Sequence, residues 1–297
     1  MKRIFSKAGE DGWNIAVRAA SAGTILNDRK TPFQILPNTW RSWEADPFVF
    51  ENEGATYIFA EVFDYLKRRG RIGYTCYQNG KWKRWKIVID ESFHMSYPNV
   101  FRRNGEIYMI PETSEDRTLR LYKAVSFPNQ WVLERVLAED VVFVDTTFIG
   151  DTLRAITTDI SDEAHHRDYL LTFDESLHLI SRQEIKEQHT EISRCAGNFL
   201  HHDGKMIRVS QNCSGHYGNA LVFSDFCKDK TEYELGRIVV QVKPEDVAVS
   251  RQYCWIGLHT YNKTELFEVI DIERHHYTVV SLWGRCWDKV VRLFRGR

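Results

Sequence analysis

The sequence lacks the charge excess and the long apolar runs that mark two common classes of protein. Its 40 Lys and Arg residues are balanced by 41 Asp and Glu residues, which leaves a net charge of −1. A nucleic-acid surface needs a clustered excess of positive charge, and a membrane-spanning helix needs about 20 consecutive apolar residues. Because the sequence contains neither, we predict no nucleic-acid partner and no transmembrane helix.

The sequence also lacks the common motifs for metals, cofactors and export. The six cysteines show no Cys-x-x-Cys or zinc-type spacing, and there is no Gly-x-Gly-x-x-Gly motif, P-loop or Asp-x-Asp motif. The pairs His165-His166 and His275-His276 have no third ligand spaced nearby. We therefore predict no metal site and no cofactor. Because no apolar signal segment follows Met1, we expect a cytoplasmic protein with free thiols.

A repeated hairpin organises what is present. Residues 43–61 alternate like a strand, a tight turn at Gly54 and a second strand, and related segments follow near Tyr97, Asp145 and Arg194. Asn79-Gly80, between two alternating runs, predicts a further hairpin. Four-stranded units that recur about every 50 residues are typical of a β-propeller. We predict an all-β, five-bladed β-propeller over residues 12–280, with the segment around Trp13 closing the ring.

Residues 281–297 follow a different pattern, which predicts a short, basic amphipathic C-terminal helix. Apolar residues at positions 282, 283, 286, 287, 290, 291 and 294 fall on one helical face, and four basic residues lie off it. Such a helix could dock against the propeller or lie on an anionic membrane surface. The one-sided basic charge favours the membrane. We therefore expect peripheral association with the inner face of a membrane through residues 282–295.

The repeat also predicts where functional side chains converge. The innermost strand of each blade lines the central channel of a propeller, so residues at equivalent positions of these strands meet at one mouth. One equivalent set is Asp46, Tyr97, Asp145 and Ala196, with Arg194 beside it; a second set is Glu61, Glu112, Asp159 and Gln211. Several carboxylates around one pocket, with an arginine and a tyrosine, are typical of glycosyl transfer.

Each candidate also has a purely structural explanation. An Asp before Pro is a common turn residue, and Glu112 at the end of an apolar strand could simply be solvated. Arg194 could bridge two blades, although an arginine at a channel mouth also suits a phosphate or a carboxylate. We predict Asp46, Asp145 and Glu112 as catalytic carboxylates. The predicted substrate contacts are Glu61, Tyr97, Arg194, Gln211, Tyr217 and His259.

Six motifs occur in order along residues 12–272. They are Trp-Glu-Ala-Asp-Pro-Phe at 43–48, Ser-Tyr-Pro-Asn-Val-Phe at 96–101, Met-Ile-Pro-Glu-Thr at 109–113, Val-Asp-Thr-Thr-Phe at 144–148, Gln-Asn-Cys-Ser-Gly-His-Tyr-Gly at 211–218 and Gly-Leu-His-Thr-Tyr at 257–261. This set resembles the N-terminal domain of plant glucosamine inositolphosphorylceramide transferases and its bacterial relatives. That domain in turn resembles the five-bladed propellers of the furanosidase clan, such as arabinanases, xylosidases and invertases.

The second resemblance implies roles for several residues. It implies that Asp46, in an Asp-Pro setting in the first blade, is a base or nucleophile, and that Asp145 in the third tunes a pKa or holds the sugar. The general acid of that clan is usually a fourth-blade Glu, where this sequence offers Gln211. Glu112 or Glu61 would then have to supply the proton, or no strong acid is needed. A nucleotide sugar has a good leaving group, so the departure favours a transferase over a hydrolase.

Three functions follow from this reading. The first is a glycosyltransferase that uses a nucleotide-sugar donor and a glycan or lipid-linked acceptor to build a bacterial surface glycan or glycolipid. The second is a furanosidase-type glycoside hydrolase, which would cleave aryl glycosides without a nucleotide. The third is a non-catalytic sugar-binding propeller, in which Asp46→Asn would change affinity without abolishing any turnover.

Overall fold

The computed structural model describes residues 10–20, 24–162, 165–185, 194–226, 237–250, 253–276 and Trp283. Apart from Trp283, the helix predicted over residues 282–295 lies outside this part of the chain, and the domain boundary at residue 280 stays a prediction. Within the described ranges, no helix is both long and apolar enough to cross a bilayer.

The described residues form 21 strands in five antiparallel sheets, which are the blades of a propeller. The strands β1 (Glu10–Ala19) and β2 (Gln34–Ile35) come first. Blade one contains β3 (Ser42–Asn52), β4 (Ala55–Asp64), β5 (Arg69–Gln78), β6 (Lys81–Trp82) and β7 (Lys86–Ile89). Blade two contains β8 (Ser96–Arg103), β9 (Glu106–Glu112), β10 (Thr118–Ser126) and β11 (Gln130–Glu139).

The remaining strands complete the ring. Blade three contains β12 (Phe143–Phe148), β13 (Arg154–Asp159), β14 (Arg167–Phe173) and β15 (Leu179–Glu184). Blade four contains β16 (Leu200–His202), β17 (Lys205–Asn212), β18 (Ala220–Phe226) and β19 (Ile238–Val242). Blade five is built from β20 (Tyr261–Lys263), β21 (Phe267–His276), β1 and β2. Two 3-10 helices, Ser114–Asp116 and Pro244–Asp246, lie in connecting loops. The five-bladed all-β prediction is confirmed.

Blade five joins the two ends of the described chain. β1 pairs with β21 along its whole length, from Glu10 opposite His276 to Ala19 opposite Phe267. The predicted closure of the ring by the segment around Trp13 is therefore observed. Because β1 lies between β21 and β2, the N-terminal segment is an internal strand of its sheet.

Tight turns explain why the hairpins form where they do. The predicted hairpin at Asn79-Gly80 joins β5 to β6, and both turn residues have positive φ, 54° and 74°. Asn104-Gly105 and Asp203-Gly204 repeat this pair of positive angles in blades two and four. Two consecutive positive φ angles define the turn whose twist matches antiparallel strands, and glycine accepts them without steric cost.

Apolar side chains fill the spaces between neighbouring blades. Phe59 and Tyr74 of blade one pack with Met95, Met109 and Tyr122 at the boundary with blade two, and all five are buried. The alternation of each strand sends every second side chain into such an interface. Packing on both faces of each blade holds the inner strands at fixed positions around the channel.

Candidate active site at one mouth of the channel

Three residues at the mouth share an unusual backbone conformation. Asp46, Tyr97 and Asp145 have φ angles of 52°, 45° and 53°, and each lies where the pairing register of the inner strand shifts by one residue. Side-chain-bearing residues seldom adopt positive φ, and such strain persists where surrounding contacts impose it. The equivalence predicted for these positions is observed, and the bulge turns two carboxylates and a tyrosine inward.

Asp46 is buried and fully engaged. Its Oδ1 accepts a hydrogen bond from Thr260 Oγ1 at 2.9 Å and lies 3.1 Å from His259 Nε2. Its Oδ2 accepts a hydrogen bond from the Tyr97 N–H at 3.2 Å. Blades five and two thus supply the polar partners of the blade-one carboxylate.

His259 lies between two carboxylates. Its Nε2 faces Asp46, and its Nδ1 lies 2.9 Å from Asp271 Oδ2 in an ion pair that is poorly aligned for a hydrogen bond. Burial lowers the pKa of His259, but the charges of Asp271 and Asp46 raise it well above its usual value. The imidazole is therefore a buried cation at neutral pH.

The same histidine keeps Asp46 ionised. Burial alone would raise the pKa of Asp46, but the His259 charge and the hydrogen bonds from His259, Thr260 and Tyr97 lower it below its usual value. A buried carboxylate that stays charged can accept a proton from a bound hydroxyl or attack an electrophilic carbon.

Two glutamates next to this centre behave in the opposite way. Burial and the charge of Asp145 raise the pKa of Glu112 to about 7, against the opposing effects of Arg194 and of a 2.8 Å hydrogen bond from Ser114 Oγ. Burial and the charges of Asp46 and Glu112 raise the pKa of Glu61 well above its usual value. The Glu61 Oε1 atom is buried without a hydrogen-bond partner. The mouth therefore places the ionised Asp46 beside two glutamates whose raised pKa values favour their protonated forms.

Asp145 belongs to an ion pair with Arg194. The Arg194 Nε lies 2.6 Å from Asp145 Oδ2, which also accepts a hydrogen bond from Gln211 Nε2 at 3.2 Å. Burial raises the pKa of Asp145, and Arg194 opposes that rise. The two terminal nitrogens of Arg194 make no hydrogen bond to any residue in the described ranges, so one edge of the guanidinium is available for an anion.

Tyr97 and Gln211, which we predicted as substrate contacts, have buried side chains that bind other protein groups. The Tyr97 side chain is completely buried, and its hydroxyl pairs with Thr147 Oγ1 at 2.8 Å and accepts the Gly197 N–H at 2.7 Å. Tyr97 thus contacts Asp46 through its backbone, while its hydroxyl links three blades. Gln211 is also fully buried and supports Asp145 from behind. Direct contact of either side chain with a substrate stays a prediction.

Tyr217 forms the exposed rim of the mouth. The residue is 44% exposed, its ring centroid lies 5.1 Å from that of His259, and the Arg194 guanidinium lies over the ring at 5.1 Å from its centroid. Behind it, the buried Trp13 packs on His259, with 3.9 Å between ring centroids. These rings offer an apolar face next to the carboxylates, which suits the C–H surface of a sugar.

Asp46, His259 and Asp271 are also the only three potential metal ligands that converge in the described part of the chain, with their ligand atoms within 4.8 Å of one another. Both Asp271 oxygens already accept backbone hydrogen bonds, and both imidazole nitrogens face carboxylates. A metal would have to displace the imidazole proton and these contacts. The prediction of no metal site stays a prediction.

The sequence pattern missed Asp271 and Thr260 and misplaced two residues, Asp159 and Gln211, by one position each. Asp271 is fully buried at the centre of β21, and a lone Asp in an apolar strand was the signal that pointed to it. In blade three, Thr158 lies opposite Val144, as Glu61 lies opposite Ala45 in blade one. Asp159, which we placed in the second equivalent set, instead caps the exposed Ser161 N–H. The predicted alignment of the repeat was therefore wrong by one residue in blade three, and also in blade four, where Ser210 and not Gln211 lies opposite Cys195.

Comparison with known proteins identifies the family. Residues 13–269 match the family described as glucosamine inositolphosphorylceramide transferase 1, N-terminal. The chain belongs to this family. It is 29% identical over 250 residues to glucosamine inositolphosphorylceramide transferase 1 of Arabidopsis thaliana, a match that covers 80% of this chain and 30% of that protein. The protein of the same name from Oryza sativa subsp. japonica is 28% identical over 229 residues, which cover 73% of this chain and 30% of the rice protein.

The chain thus spans about 30% of the length of each of these two plant proteins. Solved structures share its fold at low sequence identity. The catalytic domain of a Coprinopsis cinerea GH62 α-L-arabinofuranosidase matches with a TM-score of 0.54 and 11% identity, over 77% of this chain and 90% of that one. The GH43_1 enzyme of Xanthomonas citri, complexed with xylotriose, matches with a TM-score of 0.55 and 11% identity. This match covers 81% of this chain and 88% of the Xanthomonas chain. The likeness supports the predicted furanosidase-clan fold.

Proposed function

We propose that this domain is a carbohydrate-active enzyme that transfers a sugar from a nucleotide-sugar donor to a glycolipid or glycan acceptor. The observation that carries the proposal is the division of charge at the mouth. Asp46 is held ionised by His259, the pKa values of Glu112 and Glu61 are raised, and Arg194 presents an unpaired edge. Such a site can take a proton, give a proton and bind an anion at the same time.

In the proposed single displacement, the acceptor hydroxyl attacks the anomeric carbon of the donor. The new carbon–oxygen bond forms as the bond to the diphosphate oxygen breaks, and the diphosphate leaves with the electron pair. Asp46 accepts the hydroxyl proton, and the free edge of Arg194 binds the departing diphosphate. Asp145 holds Arg194 in place. Little protonation of the leaving group is required, which fits the presence of Gln211 in place of a fourth-blade acid.

The names of the relatives support the same class of reaction. Both plant proteins are named transferases of inositolphosphorylceramide, but the chain corresponds to only part of each. A phosphate-bearing glycolipid is therefore our preferred acceptor, and a bacterial surface glycolipid is the product we propose. Because such an acceptor lies in a membrane, the proposal includes a peripheral location at the cytoplasmic face, with residues 282–295 as the predicted anchor.

The test is calorimetric titration of the purified chain with a panel of nucleotide sugars. We expect saturable binding of one donor, at least tenfold weaker in Arg194→Ala and partly restored in Arg194→Lys. Arg182→Ala is the matched control, because Arg182 is exposed on the outer strand of blade three. Binding of free oligosaccharides but of no nucleotide sugar would contradict the proposal.

A glycoside hydrolase is the second candidate, and the pKa of Glu112 favours it. A half-buried glutamate with a pKa of about 7 is suited to protonate a leaving alcohol. Incubation with aryl arabinofuranosides and xylosides, without a nucleotide, separates the two reactions. Release of the aryl alcohol that is lost in both Asp46→Asn and Glu112→Gln would establish hydrolysis. Donor binding without hydrolysis of the aryl glycosides, and without transfer of the sugar to added glycolipid or glycan acceptors, would leave a sugar-binding propeller.

A further inference from the structure

A groove lined by three tryptophans lies on the flank of the propeller, away from the channel. It encloses about 480 Å³ and is bordered on one side by residues 36–40, which connect blade five to blade one. Residues 82–85, on the outer edge of blade one, form the other side. The volume lies within the range of about 300–1,000 Å³ that small-molecule sites occupy.

The tryptophans present their rings to different degrees. Trp40 is 70% exposed, whereas Trp82 and Trp85 are half-buried in the wall of the groove. Trp82 is fixed by edge contacts with Tyr77 and Phe267, whose ring centroids lie 5.3 Å and 5.2 Å away. The groove is therefore preformed on one wall, and Trp40 lies on the other wall with its ring open to solvent.

The charge of the groove is positive. Lys83 and Arg84 line it, and Lys81 and Lys86 flank it in the same six-residue segment. None of these four cations is paired with a carboxylate in the described part of the chain, and no Asp or Glu lines the groove. In a chain with a net charge of −1, this is a local concentration of unpaired positive charge.

One residue of the groove lining is linked to the channel mouth through Trp13. Asn38, in the groove lining, donates a hydrogen bond to the Trp13 backbone oxygen at 2.7 Å. The Trp13 indole in turn packs on His259, which contacts Asp46. Trp13 thus contacts both the lining of the groove and the candidate active site.

We propose that this groove binds an acidic oligosaccharide. Aromatic rings pack against the apolar faces of sugars, and Lys83 and Arg84 supply charge partners for carboxylate, phosphate or sulfate groups. The amide of Asn38 and the hydroxyl of Thr39 are already hydrogen-bonded within the protein, so the rings and the two cations supply the contacts. A bilayer surface also attracts tryptophan and basic residues, but it cannot reach rings that lie half-buried in a concave wall. The site is distinct from the channel, and it does not depend on the function proposed for the channel.

The experiment is a screen of the full chain on an array of acidic and neutral glycans, followed by calorimetry with the acidic glycan that binds best. We expect binding to acidic glycans that weakens at least tenfold in Trp40→Ala and in the double variant Lys83→Glu/Arg84→Glu. Raising the salt from 0.1 M to 0.5 M is expected to weaken it several-fold, because exposed charges are screened.

Two controls keep the result specific to the groove. Lys30→Glu/Arg182→Glu makes the same change of charge at exposed positions elsewhere and is expected to bind as the wild type does. Asp46→Asn changes the channel and is expected to leave groove binding intact. Failure to bind any acidic glycan, or binding that the groove variants do not weaken, overturns the proposal. Binding to vesicles of anionic phospholipid that the groove variants abolish, without glycan binding, would assign the surface to a membrane.

Discussion

Asp271 accepts a hydrogen bond from the backbone N–H of Asp46, 225 residues earlier in the chain, with 2.9 Å between Asp46 N and Asp271 Oδ2. Asp271 Oδ1 accepts two more, from the N–H groups of His259 and Thr260. One carboxylate of blade five thus fixes both the positive-φ backbone of Asp46 and the loop that carries its charged partner. Asp271 is a positioning residue for the site.

The first prediction concerns this positioning role. Asp271→Asn removes the charge opposite His259, so we expect the His259 pKa to fall towards 6.5, its usual value. We also expect the free energy of unfolding to fall by about 3 kcal/mol, because a buried ion pair loses one partner. Histidine resonances followed by NMR titration, together with urea unfolding, measure both effects. Asp225→Asn, which removes a carboxylate from a partly exposed pair with Lys205, is the control.

The sign of the pH dependence follows from the same shift. The stability contributed by His259 is complete below pH 6.5 and is lost as the pH rises through its raised folded-state pKa. In Asp271→Asn this loss is expected in a narrower window close to pH 6.5. An unchanged His259 titration in the variant would show that Asp271 does not set its charge.

The second prediction concerns Glu112. Because its pKa is about 7, it becomes a second negative charge near Arg194 as the pH rises through neutrality. We expect the affinity for a nucleotide-sugar donor to fall about tenfold between pH 6 and pH 8, and to stay level in Glu112→Gln. Calorimetry at several pH values measures this. Glu139→Gln, on the exposed outer strand of the same blade, is expected to follow the wild type.

The blades could be predicted from the sequence because the signals for turns and strands lie in short stretches of neighbouring residues. Asn-Gly and Asp-Gly pairs with two positive φ angles terminate strands wherever they occur, and the recurrence of about 50 residues counts the blades. It also placed Asp46, Asp145, Glu112 and Arg194 at one mouth, since equivalent positions of a repeat converge in a ring. What it could not supply was contact between distant segments.

Asp271, Thr260 and the hydroxyl of Tyr97 act through partners in other blades, and no spacing in the sequence records these pairs. The register in blade three was likewise decided by pairing of Val144 with Thr158, not by the identity of Asp159. The charge state of a buried group likewise depends on residues that are distant in the sequence. Glu61 and Asp46 are both buried carboxylates, and their opposite pKa shifts come from what surrounds them.

The third prediction concerns Glu44, a buried glutamate that is not among the residues of the candidate active site. Glu44 is 1% exposed, and burial raises its pKa to about 8 against a hydrogen bond from Ser42. A raised carboxyl pKa means that stability falls as the pH rises from 4.5 to about 8. Glu44→Gln removes this loss, so we expect it to be more stable than the wild type at pH 8 by about 4 kcal/mol. Urea unfolding from pH 4 to pH 8 measures the difference.

The matched control for Glu44 is Glu265→Gln, because Glu265 is exposed in the turn before β21. Its unfolding curve is expected to follow the wild type at each pH. Parallel pH profiles of the wild type and Glu44→Gln would mean that Glu44 is ionised in the folded protein and that another group compensates its burial.

The fourth prediction separates structure from binding at Tyr97. Tyr97→Phe leaves the buried Gly197 N–H without its acceptor, so we expect a loss of about 1–3 kcal/mol in the free energy of unfolding. The backbone N–H that contacts Asp46 is unchanged. Donor affinity is therefore expected to stay within about twofold of the wild type, as measured by calorimetry. A large loss of affinity at unchanged stability would instead make the hydroxyl a substrate contact.

The pairing of β1 with β21 sets an order of events during synthesis. During synthesis, β1 leaves the ribosome before the other strands of the propeller. Its partner β21, and the His259 that keeps Asp46 ionised, are made about 250 residues later. Ribosomes add about 5–20 residues per second, so β1 is made about 12 seconds or more before β21. During that wait β1 is an open strand edge, and blades one to four can hold the carboxylates but not the imidazolium. The charges at the mouth are therefore complete only when blade five closes the ring.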